Sequence, residues 1–320
     1  MKRSSSTLGG TVSIVRRTGA VQNQSINQVG RLHSISLQGV AMSLSCRLQR
    51  LMTRFRHLWR NPPESERYGQ PDILRGVNFA RQWATDPDSR HLESSAVAQN
   101  QNDSSNPLRA YFDALQEGPG LWKWLHYFEI YHRHLKRFFG HHVSLVEVGV
   151  YSGGSLTMWR NYFGKDCQVH GVDIQAECQI YEDSRTTIHI GDQADRGFWK
   201  RFRESVPAVD VLIDDGGHEP EQQMVTLEEM LPHLRPGGVY ICEDVHGIGN
   251  RFTAFVHALT DELHAAAWAP QYGHASVPTP FQAAVHSVHF YPFMVVIEKR
   301  DSPLKIFSAQ KHGTHWQPFL

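Results

Sequence analysis

Several carboxylates and a histidine stand at the ends of short apolar runs, where side chains from neighbouring runs can meet. Ile213-Asp214-Asp215-Gly216-Gly217-His218 closes one run, and Glu243-Asp244 closes the next, 28 residues after Asp215. Clustered carboxylates repel one another unless a cation joins them, and hard oxygen donors suit Mg²⁺. Asp215, Glu243 and Asp244 are therefore the expected metal ligands. A metal held there would bind two vicinal oxygens of a substrate and lower a hydroxyl pKa. His218, three residues beyond Asp215, is placed to take the proton as a general base. The competing reading is capping: Asp214 or Asp215 at the start of a helix over 219–233, and Glu243 paired with an arginine.

A second group lies upstream in Glu147-Val-Gly149-Val-Tyr151-Ser152-Gly153-Gly154-Ser155. Its glycines allow a tight turn and close backbone approach to a ligand, and Ser155 is a candidate cap for the following helix. Asp173 comes 19 residues after Gly154, at the end of another apolar run. An acid there can accept hydrogen bonds from both ribose hydroxyls of an adenosine. The G-x-G-x-x-G of a dinucleotide site is absent, and Glu147 guards the turn, which disfavours a pyrophosphate. S-adenosylmethionine carries no phosphate, and its ammonium group favours a nearby carboxylate. Gly191-Asp192-Gln193 then reads the adenine edge. The expected cofactor set is Glu147, Gly149, Tyr151, Ser152, Gly153, Asp173, Asp192, Gln193 and Asp214. The alternative is a Rossmann-like domain with ordinary turn glycines.

The elements that must position these residues alternate. Strands are expected at Val143–Val148, Gln168–Val172, Thr187–Ile190, Val209–Ile213 and Val239–Cys242, the last set up by a Pro236-Gly237-Gly238 turn. Helices are expected over 121–139, 155–163, 219–233 and 251–264. Two further strands, near 286–291 and 293–299, flank Pro292. This order predicts an α/β, Rossmann-like, doubly wound parallel sheet with a C-terminal antiparallel β-hairpin. In such sheets ligands lie beyond the C-terminal strand ends. His132 and His134 are two apart, so one helix face cannot offer both to a metal; both read as surface or interface histidines.

The segments LVEVGVYSGGSLTMW, VHGVDI, IHIGDQAD, DVLIDDGGHEPEQQ, LRPGGVYICEDVHG, EGPGLWKWLHYFEIYHRH and SVHFYPFMVVIEKR together resemble the class I S-adenosylmethionine-dependent methyltransferases. Within that class the chain looks like the macrocin and mycinamicin sugar O-methyltransferases, with cephalosporin-hydroxylase-like relatives nearby. The resemblance implies a Mg²⁺-dependent O-methyltransferase. Asp215, Glu243 and Asp244 match the family's metal ligands, His218 its base, and Glu147, Gly149, Asp173 and Asp192 positions around the cofactor. Gly217 departs from a frequent serine, and residues 1–106 match no family segment.

The charge is divided. The whole chain balances 32 Lys and Arg against 32 Asp and Glu, yet residues 1–63 hold ten basic residues and no acid. The remainder, with 22 basic and 32 acidic residues, carries −10, which argues against nucleic acid as a partner. The expected organisation is a basic arm over 1–63, disordered over 1–41 with an amphipathic helix near 42–60. A polar, partly helical linker over 64–106 includes a helix over 73–84. The methyltransferase domain follows over 107–300 and a tail over 301–320. The arm's helix reads as a docking element, a membrane-surface helix or part of an organelle-targeting sequence. Met42 is an alternative start. No stretch is apolar enough to span a membrane. Cys46, Cys167, Cys178 and Cys242 lack paired spacing and read as free thiols, consistent with a cytoplasmic location. The expected partners are a small hydroxylated acceptor, possessing a sugar or a phenol, and further copies of the chain in a homo-oligomer. The non-enzyme alternative is a module that binds the cofactor without catalysis.

Overall fold

The computed structural model describes residues 106–265 and 275–315, together with helical backbone at Arg75 and Ala80. The expected arm and the rest of the expected linker lie outside the described residues, as does the tail beyond His315.

A central sheet dominates. Its first strand, β1 (Val143–Val148), is rich in β-branched residues and buried at every position, as a strand covered on both faces must be. The other strands are β2 (Cys167–Asp173), β3 (Thr186–Ile190), β4 (Val209–Asp214), β5 (Leu234–Cys242), β7 (Val285–Tyr291) and β8 (Met294–Lys299). Their order is β3-β2-β1-β4-β5-β8-β7. β1 pairs in parallel with β2 and β4, β3 with β2, and β5 with β4. β8 pairs antiparallel with both β5 and β7, so it alone runs against the others in this sheet. The expected parallel core and terminal hairpin are thus present. Two short strands, β6 (Ala275–Ser276) and β9 (Phe307–Ser308), form a separate ribbon.

Helices cover both faces. On one lie α1 (Pro107–Ala114), α2 (Tyr127–Leu135) and α3 (Gly154–Phe163); on the other lie α4 (Arg196–Ser205), α5 (Pro220–Met230) and α6 (Arg251–Glu262). α7 (Pro280–Ala284) leads into β7. Leu145, Val211, Ile213, Ile241 and Val296 of the sheet pack with Tyr131 and Trp159 on the first face. Val146, Leu212, Tyr240 and Ile297 pack with Trp199, Met230 and Phe252 on the second. Burial of each such large side chain contributes about 1.5–3 kcal/mol.

Three expectations change. The helix expected over 121–139 begins only at Tyr127 and gives way to a 3₁₀ turn at Lys136–Phe138. Trp122 and Trp124 continue its aromatic periodicity, but Trp122 is 89 % exposed. The Pro236-Gly237-Gly238 segment lies inside β5, where Gly237 has φ +77° and the pairing with β4 shifts register. It is a bulge, not a turn before the strand. Ser155 does not cap α3: the cap is Gly153, at φ +72°.

Gly149 ends β1 at φ +90°, and a Cβ there would lie 1.9 Å from the carbonyl oxygen of Asp215. No side chain can be accommodated without moving one of the two strand ends. Gly149→Ala should therefore cost on the order of 3 kcal/mol. Gly140, at φ +75° with nothing within 4 Å of its virtual Cβ, should lose only about 1 kcal/mol as Gly140→Ala. Urea-denaturation midpoints of the two variants test this contrast.

Candidate active site

The C-terminal ends of β4 and β5 meet as the topology requires. Asp215 follows β4, and Glu243 and Asp244 follow β5; Glu243 N–H donates to the Asp214 carbonyl at 2.8 Å. His218 faces Asp215 Oδ1 at 3.9 Å and Asp244 Oδ2 at 3.8 Å through Nε2. Both His218 (φ +58°) and Asp244 (φ +54°) adopt left-handed backbone, a strained arrangement that clusters at functional sites. Ligand atoms of Asp215, His218 and Asp244 all lie within 4.8 Å of one another. All three are partly open to solvent.

Glu243 stands differently from its two companions. Its side chain is 1 % exposed, and both oxygens are engaged: Tyr131 Oη donates to Oε1 at 2.6 Å and Lys123 Nζ to Oε2 at 2.9 Å. Lys123 Nζ also donates to Asp215 Oδ2 at 2.5 Å. In this arrangement Asp215 and Asp244, flanked by His218, form the open donor set, and Glu243 is the buried counter-charge of a lysine. Burial pushes the Glu243 carboxyl up, against the opposing pull of Lys123. Burial alone would lower Lys123, but Glu243 and Asp215 outweigh it and hold the ammonium above its ordinary range.

α2 and the segment before it supply this second layer. Tyr127 Oη donates to Asp244 Oδ1 at 2.8 Å, and Trp124 Nε1 donates to the same oxygen at 3.1 Å. Tyr127 and Tyr131 are four residues apart, so one helix face presents both phenols to the end of β5. The Gly118-Pro119-Gly120 loop packs on the start of α3: a Cβ on Gly154 would lie 2.3 Å from the Gly120 carbonyl oxygen. Sequence reasoning passed over Lys123, Trp124, Tyr127 and Tyr131 because they read as one amphipathic helix. The i, i+4 tyrosines after a lysine were the available signal.

The expected cofactor residues divide into two groups. Tyr151 is exposed and Ser152 half-buried on the Gly149–Gly154 turn, and Asp192 is exposed beyond β3. Asp173 Oδ2 accepts from the amides of Val150 and Tyr151 at 2.9 and 3.1 Å, and Oδ1 from Gln175 N at 2.9 Å. It shapes the turn as well as ending β2. The other group is internal. Glu147 is buried, accepting from Ser155 Oγ at 2.8 Å and Trp159 Nε1 at 3.1 Å. Gln193 is buried and spends its amide on Asp214, Thr226 and Gly217 N. Asp214 is 1 % exposed and accepts from Gln193 and Tyr240 Oη. Gln193 and Asp214 tie the loop after β3 to the loop after β4.

Comparison with known proteins bears on this site. Residues 146–245 match a sequence family described as a methyltransferase domain. The chain is 31 % identical over 206 residues to an 8-demethyl-8-alpha-L-rhamnosyl tetracenomycin-C 2'-O-methyltransferase from Streptomyces olivaceus, covering 58 % of this chain and 53 % of that one. It is 35 % identical over 129 residues to a mycinamicin VI 2''-O-methyltransferase from Micromonospora griseorubida, covering 38 % and 32 %. The chain thus spans about half the length, or less, of these relatives. Among solved structures, the MycE methyltransferase in complex with Mg, SAH and mycinamycin VI superposes with a TM-score of 0.50 at 23 % identity, over 69 % of this chain and 60 % of that one. The fold is that of the class I methyltransferases.

Two outcomes follow from the buried charges. Lys123→Met leaves Glu243 and Asp215 without their cation, so stability should fall by about 3–5 kcal/mol. Added Mg²⁺ should then raise the melting temperature of the variant more than that of the wild type, as followed by calorimetry. Glu147 is pushed up to about 7 from 4.5, chiefly by burial. The folded state therefore retains a proton that the unfolded chain has already released, and stability falls as pH rises from about 4.5 to about 7. Glu147→Gln removes that dependence, and the stability of the variant relative to wild type should be greater at about pH 8 than at about pH 5.

Proposed function

We propose that this chain, a methyltransferase domain on the class I fold, moves a methyl group from S-adenosylmethionine to a hydroxyl of a small glycosylated acceptor with the help of Mg²⁺. The observation that carries the reading is the convergence of Asp215, Asp244 and His218 beside the Gly149–Gly154 turn. The relatives named for O-methylation of a rhamnosyl tetracenomycin and of mycinamicin VI support a sugar hydroxyl as acceptor.

The residues present fit both groups. Asp215 and Asp244 are partly exposed oxygen donors of the kind Mg²⁺ prefers, and they would hold the ion on the side open to solvent. The turn of Gly149, Tyr151, Ser152 and Gly153, with Asp173 and Asp192 at its flanks, would hold the cofactor. When bound, S-adenosylmethionine supplies an electrophilic methyl, and Mg²⁺ supplies positive charge that lowers the pKa of an acceptor hydroxyl.

The chain's own residues do the rest. His218 presents Nε2 toward both aspartates, where a neutral imidazole receives the hydroxyl proton. The imidazolium so formed is stabilised by the same two carboxylates. Tyr127 and Trp124 fix Asp244 Oδ1 from behind, and Lys123 fixes Asp215 Oδ2. Each aspartate therefore keeps its other oxygen, Asp215 Oδ1 and Asp244 Oδ2, turned toward His218.

A second reading has its own observation. Lys123 already places an ammonium between Asp215 and Glu243, and that charge alone would serve an enzyme that needs no metal. Turnover that persists in EDTA but vanishes in Lys123→Met would select it.

Calorimetric titration of S-adenosylmethionine, with and without Mg²⁺, should show binding. Absence of both heat and thermal shift would sink the proposal. Asp215→Asn should abolish methyl transfer to a glycosylated acceptor, read by mass spectrometry, while cofactor binding stays nearly intact.

A further inference from the structure

α2 reaches the carboxylates with its first turns, and its last turn carries another cluster of different chemistry. His134 is buried there. Its Nδ1 lies 2.9 Å from Glu298 Oε1 of β8, and its Nε2 lies 2.9 Å from Tyr291 Oη of β7. His289 of β7 turns Nε2 toward the other oxygen of Glu298, at 3.9 Å, and toward Ser287 Oγ, at 2.9 Å. The two imidazole rings are 4.7 Å apart between centroids. One ligand atom from each of His134, His289 and Glu298 lies within 4.8 Å of the other two.

Register explains the grouping. Ser287 pairs with Glu298 and His289 with Val296 across the β7–β8 ladder. Paired residues share a face, and Val296 packs in the same cluster as Tyr131 and Leu135 of α2. Ser287, His289, Tyr291 and Glu298 therefore line the side of the edge hairpin that α2 covers.

We infer that His134, His289 and Glu298 form a site for a divalent ion of the Zn²⁺ class that ties α2 to the β7–β8 hairpin. Two imidazoles and one carboxylate are the donor set such an ion prefers, whereas the aspartates at the strand ends suit Mg²⁺. Tyr291 Oη accepts the Nε2–H of His134 and fixes the ring, and the ion would replace the Nδ1 proton shared with Glu298. Ser287 Oγ or a water completes a fourth position. Arg133 and Arg137 add positive charge near the cluster.

The consequence reaches the active site. The hairpin tip touches it directly: Tyr127 Oη and Val245 N both donate to the Phe293 carbonyl, at 3.1 and 3.0 Å. An ion that locks α2 to the hairpin at one end steadies the support of Asp244 at the other.

The test uses the full chain, stripped with a chelator and dialysed, with Co²⁺ as probe. The wild type should develop the visible absorption of low-coordinate Co²⁺, bleached by Zn²⁺, and Zn²⁺ should raise its melting temperature. His289→Ala should lose the band, and Asp215→Asn should keep it. Glu298→Gln, nearly isosteric, should lose it too and stands in if the alanine variant fails to fold. No band in the wild type would overturn the inference. So would a band that survives in the folded His289→Ala or Glu298→Gln variant, or one lost only in Asp215→Asn. None of these results bears on cofactor binding, so this inference fails or holds separately from the proposed methyl transfer.

Discussion

Negative charge gathered in a buried place needs a cation, and the C-terminal end of this sheet is organised around that need. Asp215, Glu243 and Asp244 arrive side by side because β4 and β5 are hydrogen-bonded neighbours in parallel register. Glu243 has almost no solvent, and its Coulomb repulsion with Asp215 would be severe without compensation. Lys123 supplies the compensation from outside the sheet, and its position depends on the Gly118–Gly120 loop seated against α3. The tyrosines of α2 then spend their hydroxyls on Glu243 and Asp244. The result is a graded site, with a neutralised carboxylate inside and two available ones outside.

This grading separates roles that would otherwise compete. A carboxylate that holds an exchangeable ion must face solvent and keep free lone pairs. One that anchors structure must be enclosed and satisfied. Asp215 and Asp244 are partly exposed, and Glu243 and Asp214 are enclosed, although all four follow one another closely along two strand ends. The same division runs through the Gly-rich turn, where Tyr151 and Ser152 stay accessible while Glu147 is sealed beneath α3 by Ser155 and Trp159.

Most of the fold was legible in the chain because strand and helix periods alternate cleanly from Val143 to Lys299, and each strand of the parallel core ends in an acid or a glycine. The helix Arg196–Ser205 was passed over, since it is short and strongly charged, with only Phe198, Trp199 and Phe202 buried. The start of α2 was misplaced because Trp122, Trp124 and Leu125 continue its apolar rhythm while lying largely exposed. Periodicity reports which residues are apolar; it does not report whether a surface exists for them to pack on.

The residue types and spacings alone determined the doubly wound architecture, the glycines of the turn and the meeting of Asp215 with Asp244 and His218. These follow from local rules: parallel neighbours bring their ends together, and only glycine tolerates the backbone required at position 149. Tertiary structure decided which acids are enclosed and which face solvent. Gln193 binding Asp214, Tyr131 and Lys123 binding Glu243, and His134 meeting His289 and Glu298 all join residues between 21 and 164 positions apart. Hydrogen-bond satisfaction and desolvation depend on what surrounds a group in space, and no window along the chain contains that information.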